Sequence, residues 1–152
     1  MTQDFKPSNP DYATTVRAGF EGQSLMALYG ARLTDVAPGR VTIELAPDGR
    51  LLQQAGHIHG GVLGALADSA GGFAALTLMP AGSDVVTIEY KINFMRAARG
   101  PLRAVGEVIR PGKTISVTRM TCTCEIGGIW ETCAIVQATF MRVGGASGPA
   151  DA

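Results

Sequence analysis

The chain has 152 residues, 13 acidic and 13 basic side chains, and a formal net charge of zero. That length suits one domain with a core of its own. Without net charge there is no long-range field toward nucleic acid or an anionic membrane, so neither is expected as a partner.

Residues 1–11 are polar, contain Pro7 and Pro10, and read as a loose N-terminal segment. They lack a basic region followed by an apolar run, so no signal peptide is expected. Residues 12–30 have Val16, Phe20, Leu25, Leu28 and Tyr29 as apolar points, which predicts a helix stopped by Gly30. Residues 31–37 and 40–46 alternate around Pro38-Gly39 and predict a hairpin. A loop over 47–58 leads into an apolar helix from about Gly60 to Met79, ended by Pro80-Ala81-Gly82. Asp68 and several glycines interrupt that helix, which argues against a membrane span. Gly64, Gly71 and Gly72 each cost about 0.8–1 kcal/mol against alanine inside a helix, so another backbone is expected to approach closely there.

Strands follow to the end of the domain. Val86, Ile88, Tyr90, Ile92 and Phe94 alternate with Thr87, Glu89, Lys91 and Asn93. Strands are predicted over 102–110, turned by Pro111-Gly112, and over 114–125, turned by Gly127-Gly128. The last covers 129–143, with Trp130, Ala134, Val136, Ala138 and Phe140 expected on one face. Residues 144–152 read as a disordered tail, which leaves 12–143 as the folded domain. The result is an α+β fold: one antiparallel sheet of about six strands against one long helix. A single helix cannot cover so wide a sheet, so pairing with a second copy is expected.

Asp68 is the only ionisable residue between His59 and Asp84. A lone carboxylate on a buried helix is expensive unless it is compensated. Gly60 and Gly61 open the same helix, where unpaired N–H groups and the positive end of the helix dipole meet. Glycine also lets a backbone come close to a ligand. The Gly61 N–H can polarise a carbonyl, and Asp68 can then act as a general base on water or as a nucleophile. Gly61 and Asp68 share one stripe, about 10 Å apart along the axis. Either a long substrate bridges them, or Asp68 works with another subunit's glycines.

The pattern Gln53-x5-His59-Gly60-Gly61-x6-Asp68, followed by the alternating strand 85–95, resembles the hotdog-fold acyl-CoA thioesterases of the PaaI type. The resemblance covers about residues 15–143. It implies a long central helix wrapped by an antiparallel sheet, and dimers or tetramers with sites at the subunit interface. The substrate implied is an acyl-CoA with an aryl-acetyl, aromatic or medium-length acyl group. Gly61 would supply the oxyanion N–H, Asp68 the base or nucleophile, and His59 the shape of the loop. Gln53 falls where many members have Asn, and Thr87 where related enzymes carry a Ser that orients water. Arg96, Arg110 and Lys113 are candidates for the coenzyme A phosphates, with Gly60 beside the substrate. No metal or cofactor is required.

A hotdog hydratase or dehydratase needs an acid and a histidine at a different spacing. A non-catalytic acyl-CoA binder has no use for an isolated buried acid. His57, His59 and Asp68 are too few to argue for a metal site. The segment Arg110-Pro-Gly-Lys113-Thr114 fails as a P-loop, because Gly106 is one residue too far upstream and a strand follows. Ser69 lacks the Gly-x-Ser-x-Gly setting of a nucleophilic serine. Cys122, Cys124 and Cys133 form no paired framework, which places the chain in a reducing, cytoplasmic compartment with its cysteines as packing residues.

Overall fold

The computed structural model describes residues 4–144. Its elements run α1 (Tyr12–Glu21), α2 (Ser24–Tyr29), β1 (Arg32–Ala37), β2 (Arg40–Leu45), a 3-10 turn (Gly49–Leu51), α3 (Gly60–Leu76), β3 (Ser83–Phe94), β4 (Leu102–Arg110), β5 (Ile115–Ile126) and β6 (Ile129–Gly144). The six strands form one sheet in the order β1-β2-β4-β5-β6-β3, every neighbouring pair antiparallel. α3 lies across it with Leu63, Leu66, Ala67, Ala70 and Ala74 almost fully buried. This is the hotdog fold: a long apolar helix wrapped by one antiparallel sheet.

The helix glycines are where the sheet comes closest. A methyl group on Gly71 would meet Met120 and Thr118, and one on Gly72 would lie 3.2 Å from the Phe140 ring. The complementary gap is Gly106 on β4, where a Cβ would collide with the Ala70 carbonyl of α3. The conformational cost of those glycines therefore permits close helix–sheet packing.

Four sequence expectations are corrected. The helix expected over 12–30 is two helices, broken at Gly22-Gln23, where the Gly22 and Gln23 N–H groups close onto the end of α1. α3 ends at Leu76 rather than near Met79. There the Thr77 hydroxyl donates to the Ala74 carbonyl and accepts from the Gly39 N–H, tying the helix end to the β1–β2 turn. Trp130 faces away from Ala134, Val136, Ala138 and Phe140. An extra residue in β6, Cys133, sits between the pairs Cys122–Ala134 and Thr123–Thr132 and reverses the alternation. Trp130 thereby stacks under the Arg103 guanidinium, 4.2 Å from the ring centre.

β3 also departs from plain alternation. Its pairing with β6 slips between Thr87 and Glu89, so Ile88 is a bulge. Thr87 stands opposite the buried Phe140, while beyond the bulge Tyr90, Ile92 and Phe94 stand opposite Ala138, Val136 and Ala134. Strict alternation would set Thr87 on the face opposite Tyr90. The bulge puts both on the helix side.

Residues 4–11 contain no strand and only the approach to α1. Phe5 nonetheless packs over Gly39, whose φ of +74° and contact with that ring both require glycine. The tail expected from 144 onward begins with the last residue of β6, and the rest lies outside the described residues. Among the described residues, no helix is long and apolar enough to cross a membrane.

Candidate active site

Because of the bulge, the Thr87 hydroxyl reaches Asp68 and donates a hydrogen bond to Oδ1 at 2.7 Å. Asp68 is half-buried in the middle of α3. Burial pushes its carboxyl above the ordinary carboxylate range, and the Thr87 hydrogen bond pulls partly the other way. The two line a cavity of about 280 Å³ whose apolar walls include Phe73, Val85, Val86 and Phe140. A half-buried carboxylate in a small cavity of mixed polar and apolar lining, with one hydroxyl fixing its orientation, has the form of a general base.

The N-terminal end of α3 forms a second cavity, of about 350 Å³, lined by Gln53, His57, Gly60, Leu63, Phe94 and Arg96 among others. His59 caps the helix, and its Nδ1 accepts the Gly61 N–H at 2.8 Å. The bond leaves Nδ1 as the acceptor, so the ring N–H is on Nε2. It also uses up the N–H expected to polarise a carbonyl. The Gly60 N–H is the unused donor of the pair: it makes no hydrogen bond to a described residue. The Gln53 side chain bends back to accept from the Ala55 N–H, at the edge of the same cavity.

The sequence candidates therefore fall into two groups within one protomer. Gln53, His59, Gly60 and Gly61 gather at the start of α3, and Asp68 and Thr87 lie about two turns further on. Gly60 and Asp68 are eight residues apart, a rise of about 12 Å. Between them β3 leans on the helix: Phe94 covers Gly60 and the Tyr90 hydroxyl covers Gly64. Gly60, Gly64, Asp68 and Gly72 recur every four residues along this seam, beneath Phe94, Tyr90, Thr87 and Val85. The sequence reading did not identify the seam, although the spacing of four was visible in the glycines.

The basic candidates are dispersed. Arg96 borders the cavity at the N-terminal end of α3 and is ion-paired with Glu131. Arg110 closes β4 away from both cavities. Lys113 lies with Lys6 and Arg142 around a separate hollow near Met79 and Pro80. His57 Nε2 meets the Arg99 guanidinium at 2.9 Å. Among the described residues, no cluster of three or more His, Cys, Asp or Glu is placed to hold a metal ion. All three cysteines are buried, and burial pushes the Cys122 and Cys133 thiols up to about 12, so neither is a ready nucleophile.

The sequence model of the thioesterase superfamily matches residues 55–130, half of the chain, and takes in His59, Gly60, Gly61, Asp68 and Thr87. The chain belongs to the thioesterase superfamily. A solved thioesterase family protein from Silicibacter pomeroyi is similar to it, with a TM-score of 0.86 and 37% identity over 88% of this chain and 99% of that one. The PaaI protein of the E. coli phenylacetic acid degradation operon shares the fold, with a TM-score of 0.79 and 21% identity over 91% and 97% of the two chains. A Haemophilus influenzae thioesterase shares it too, at a TM-score of 0.75 and 20% identity over 94% of each. This thioesterase is thus a thioester hydrolase, carrying a half-buried carboxylate and an unused Gly60 N–H on one buried helix.

Proposed function

We propose that this thioesterase hydrolyses an acyl-CoA, an aryl-acetyl, aromatic or medium-chain thioester, to the free acid and coenzyme A in the cytoplasm. The observation that carries the reading is Asp68, raised by burial and held by Thr87 in a small cavity walled in part by Phe73, Val85, Val86 and Phe140. In this reading Asp68 activates water or attacks the thioester carbon itself, and Thr87 orients it. The Gly60 N–H, at the positive end of α3, takes the oxyanion role that the sequence reading gave to Gly61. His59 holds the Gly61 amide and so fixes the turn that presents Gly60. Gln53 borders the thioester, and Arg96 is the basic group best placed for a coenzyme A phosphate.

A rise of about 12 Å separates Gly60 from Asp68, more than one thioester spans. The donor and the acid for one carbonyl therefore come from two copies of the chain. β3 supports that assembly: it pairs with β6 on one side and ends the sheet on the other, and Ile88 and Phe94 on it are 52% and 54% exposed. An exposed apolar edge strand invites antiparallel pairing with its own copy. Two-fold pairing runs the two helices in opposite directions and brings each Gly60 toward the other's Asp68. The working unit is then a homodimer, alone or paired into a tetramer.

The test follows free thiol with phenylacetyl-, benzoyl-, hexanoyl- and crotonyl-CoA. Asp68→Asn is expected to lower kcat by about 10³-fold. Thiol release that survives intact in Asp68→Asn overturns the assignment. Hydration of crotonyl-CoA without thiol release replaces hydrolysis with hydratase chemistry.

A further inference from the structure

The cavity that holds Asp68 has one wall from outside α3 and the sheet. Gln23, at the joint between α1 and α2, lines it, and its Oε1 accepts the Ser69 hydroxyl at 2.9 Å across 46 residues of sequence. The joint is firmly seated. Phe20 meets Phe73 edge-on with ring centres 6.2 Å apart, and a methyl on Gly19 would lie 3.0 Å from the same ring. The Gln23 N–H closes onto the Phe20 carbonyl at 3.0 Å, while its carbonyl accepts from Ala27. The Gln23 side chain is therefore presented to the cavity by a fixed backbone, and Ser69, next to Asp68, holds its amide.

A thioester carbon attacked beside Asp68 has two arms. The coenzyme A arm is long, charged and strongly hydrated, so it must leave toward solvent. The acyl arm takes the cavity, where Phe73, Val85, Val86 and Phe140 supply the apolar walls beside the polar Gln23, Ser69 and Thr87. Its volume of about 280 Å³ falls just below the usual range of roughly 300–1,000 Å³ for small-molecule pockets. Resting on the thioesterase reading above, we propose that Gln23, pinned by Ser69, closes the acyl cavity and restricts the substrate to a compact acyl group, a single ring or a short chain. Gln23 is a specificity residue and takes no part in the chemical step. A longer chain must displace its amide and break the Ser69 hydrogen bond, and that penalty falls on long substrates alone.

The experiment compares kcat/KM for decanoyl-CoA and phenylacetyl-CoA in the wild type, Gln23→Ala and Ser69→Ala. Trimming Gln23 is expected to raise the decanoyl-to-phenylacetyl ratio by about tenfold or more, chiefly through a lower KM for decanoyl-CoA. Ser69→Ala frees the amide without removing it, and shifts the ratio the same way by less. An unchanged ratio in both variants, or a wild type that already prefers decanoyl-CoA, overturns the proposal and leaves the thioesterase reading standing. No thiol release from any acyl-CoA by the wild type overturns both. If Gln23→Ala does not fold, the ratio in Ser69→Ala decides.

Discussion

Burial and a single hydroxyl together set the behaviour of Asp68, the proposed catalytic carboxylate. Thr87 donates to Asp68 and offsets part of the upward push of burial. If Asp68 works ionised, the acid limb of the pH profile of kcat/KM lies above the ordinary carboxylate value of 3.8. Thr87→Val removes the offset and moves that limb to higher pH, whereas Thr87→Ser keeps the donor and the profile. A limb that stays put in Thr87→Val would detach Thr87 from the chemistry. Stability follows the same linkage. A carboxyl raised in the folded state favours folding at low pH, and the fold loses that contribution as pH climbs from the ordinary value through the raised one. Asp68→Asn has no charge to desolvate. Its thermal midpoint is expected to gain on the wild type across that window and to hold the advantage at pH 8. At this scale the sequence was informative for Asp68, because one acid in an otherwise apolar helix needs no coordinates to stand out. It was misleading for Gly61, because the ring that claims its N–H belongs to His59, and capping geometry depends on a rotamer. Gln23 was illegible, since its partner Ser69 is 46 residues away.

At the level of elements, the bulge in β3 is the device on which the site depends. Deleting Ile88 restores plain alternation and swings Thr87 and Val85 to the outer face. The deletion variant is expected to shift the acid limb as Thr87→Val does and to lower thiol release as well, and a fully active variant would show that the bulge is incidental. The run of apolar and polar residues over 85–95 identifies a strand. It cannot disclose a bulge, because every residue there tolerates extended backbone. The same limitation misplaced Trp130, where Cys133 is the extra residue. Glycine spacing was more legible. The internal glycines of α3 implied a close neighbour, and β4 supplies it at Gly106 against the Ala70 carbonyl. Gly106→Ala forces helix and sheet apart and is expected to cost about 1–3 kcal/mol. That should lower the thermal midpoint by several degrees in a chain of this size.

For the whole molecule, function and assembly are one question. Two half-sites about 12 Å apart on one helix, and an apolar edge strand beside them, make the isolated protomer an incomplete enzyme in the proposed reading. Light scattering is expected to show a dimer or tetramer. Ile88→Lys, which places a charge on the pairing edge, should produce monomers that lose thiol-releasing activity together with their partner. A monomeric variant with undiminished turnover would contradict the shared site. The width of the sheet against one helix was readable in the sequence and already implied a second copy.

The sealed thiols have a practical consequence. Cys122, Cys124 and Cys133 lie at 1%, 0% and 0% exposure on the inner face of the sheet. A dye that reports free sulfhydryl groups should therefore see almost nothing of the native protein, and the blank in a coenzyme A release assay should be flat. When the sheet opens, three equivalents of sulfhydryl become available at once, so the same reagent without substrate doubles as a clock for global unfolding.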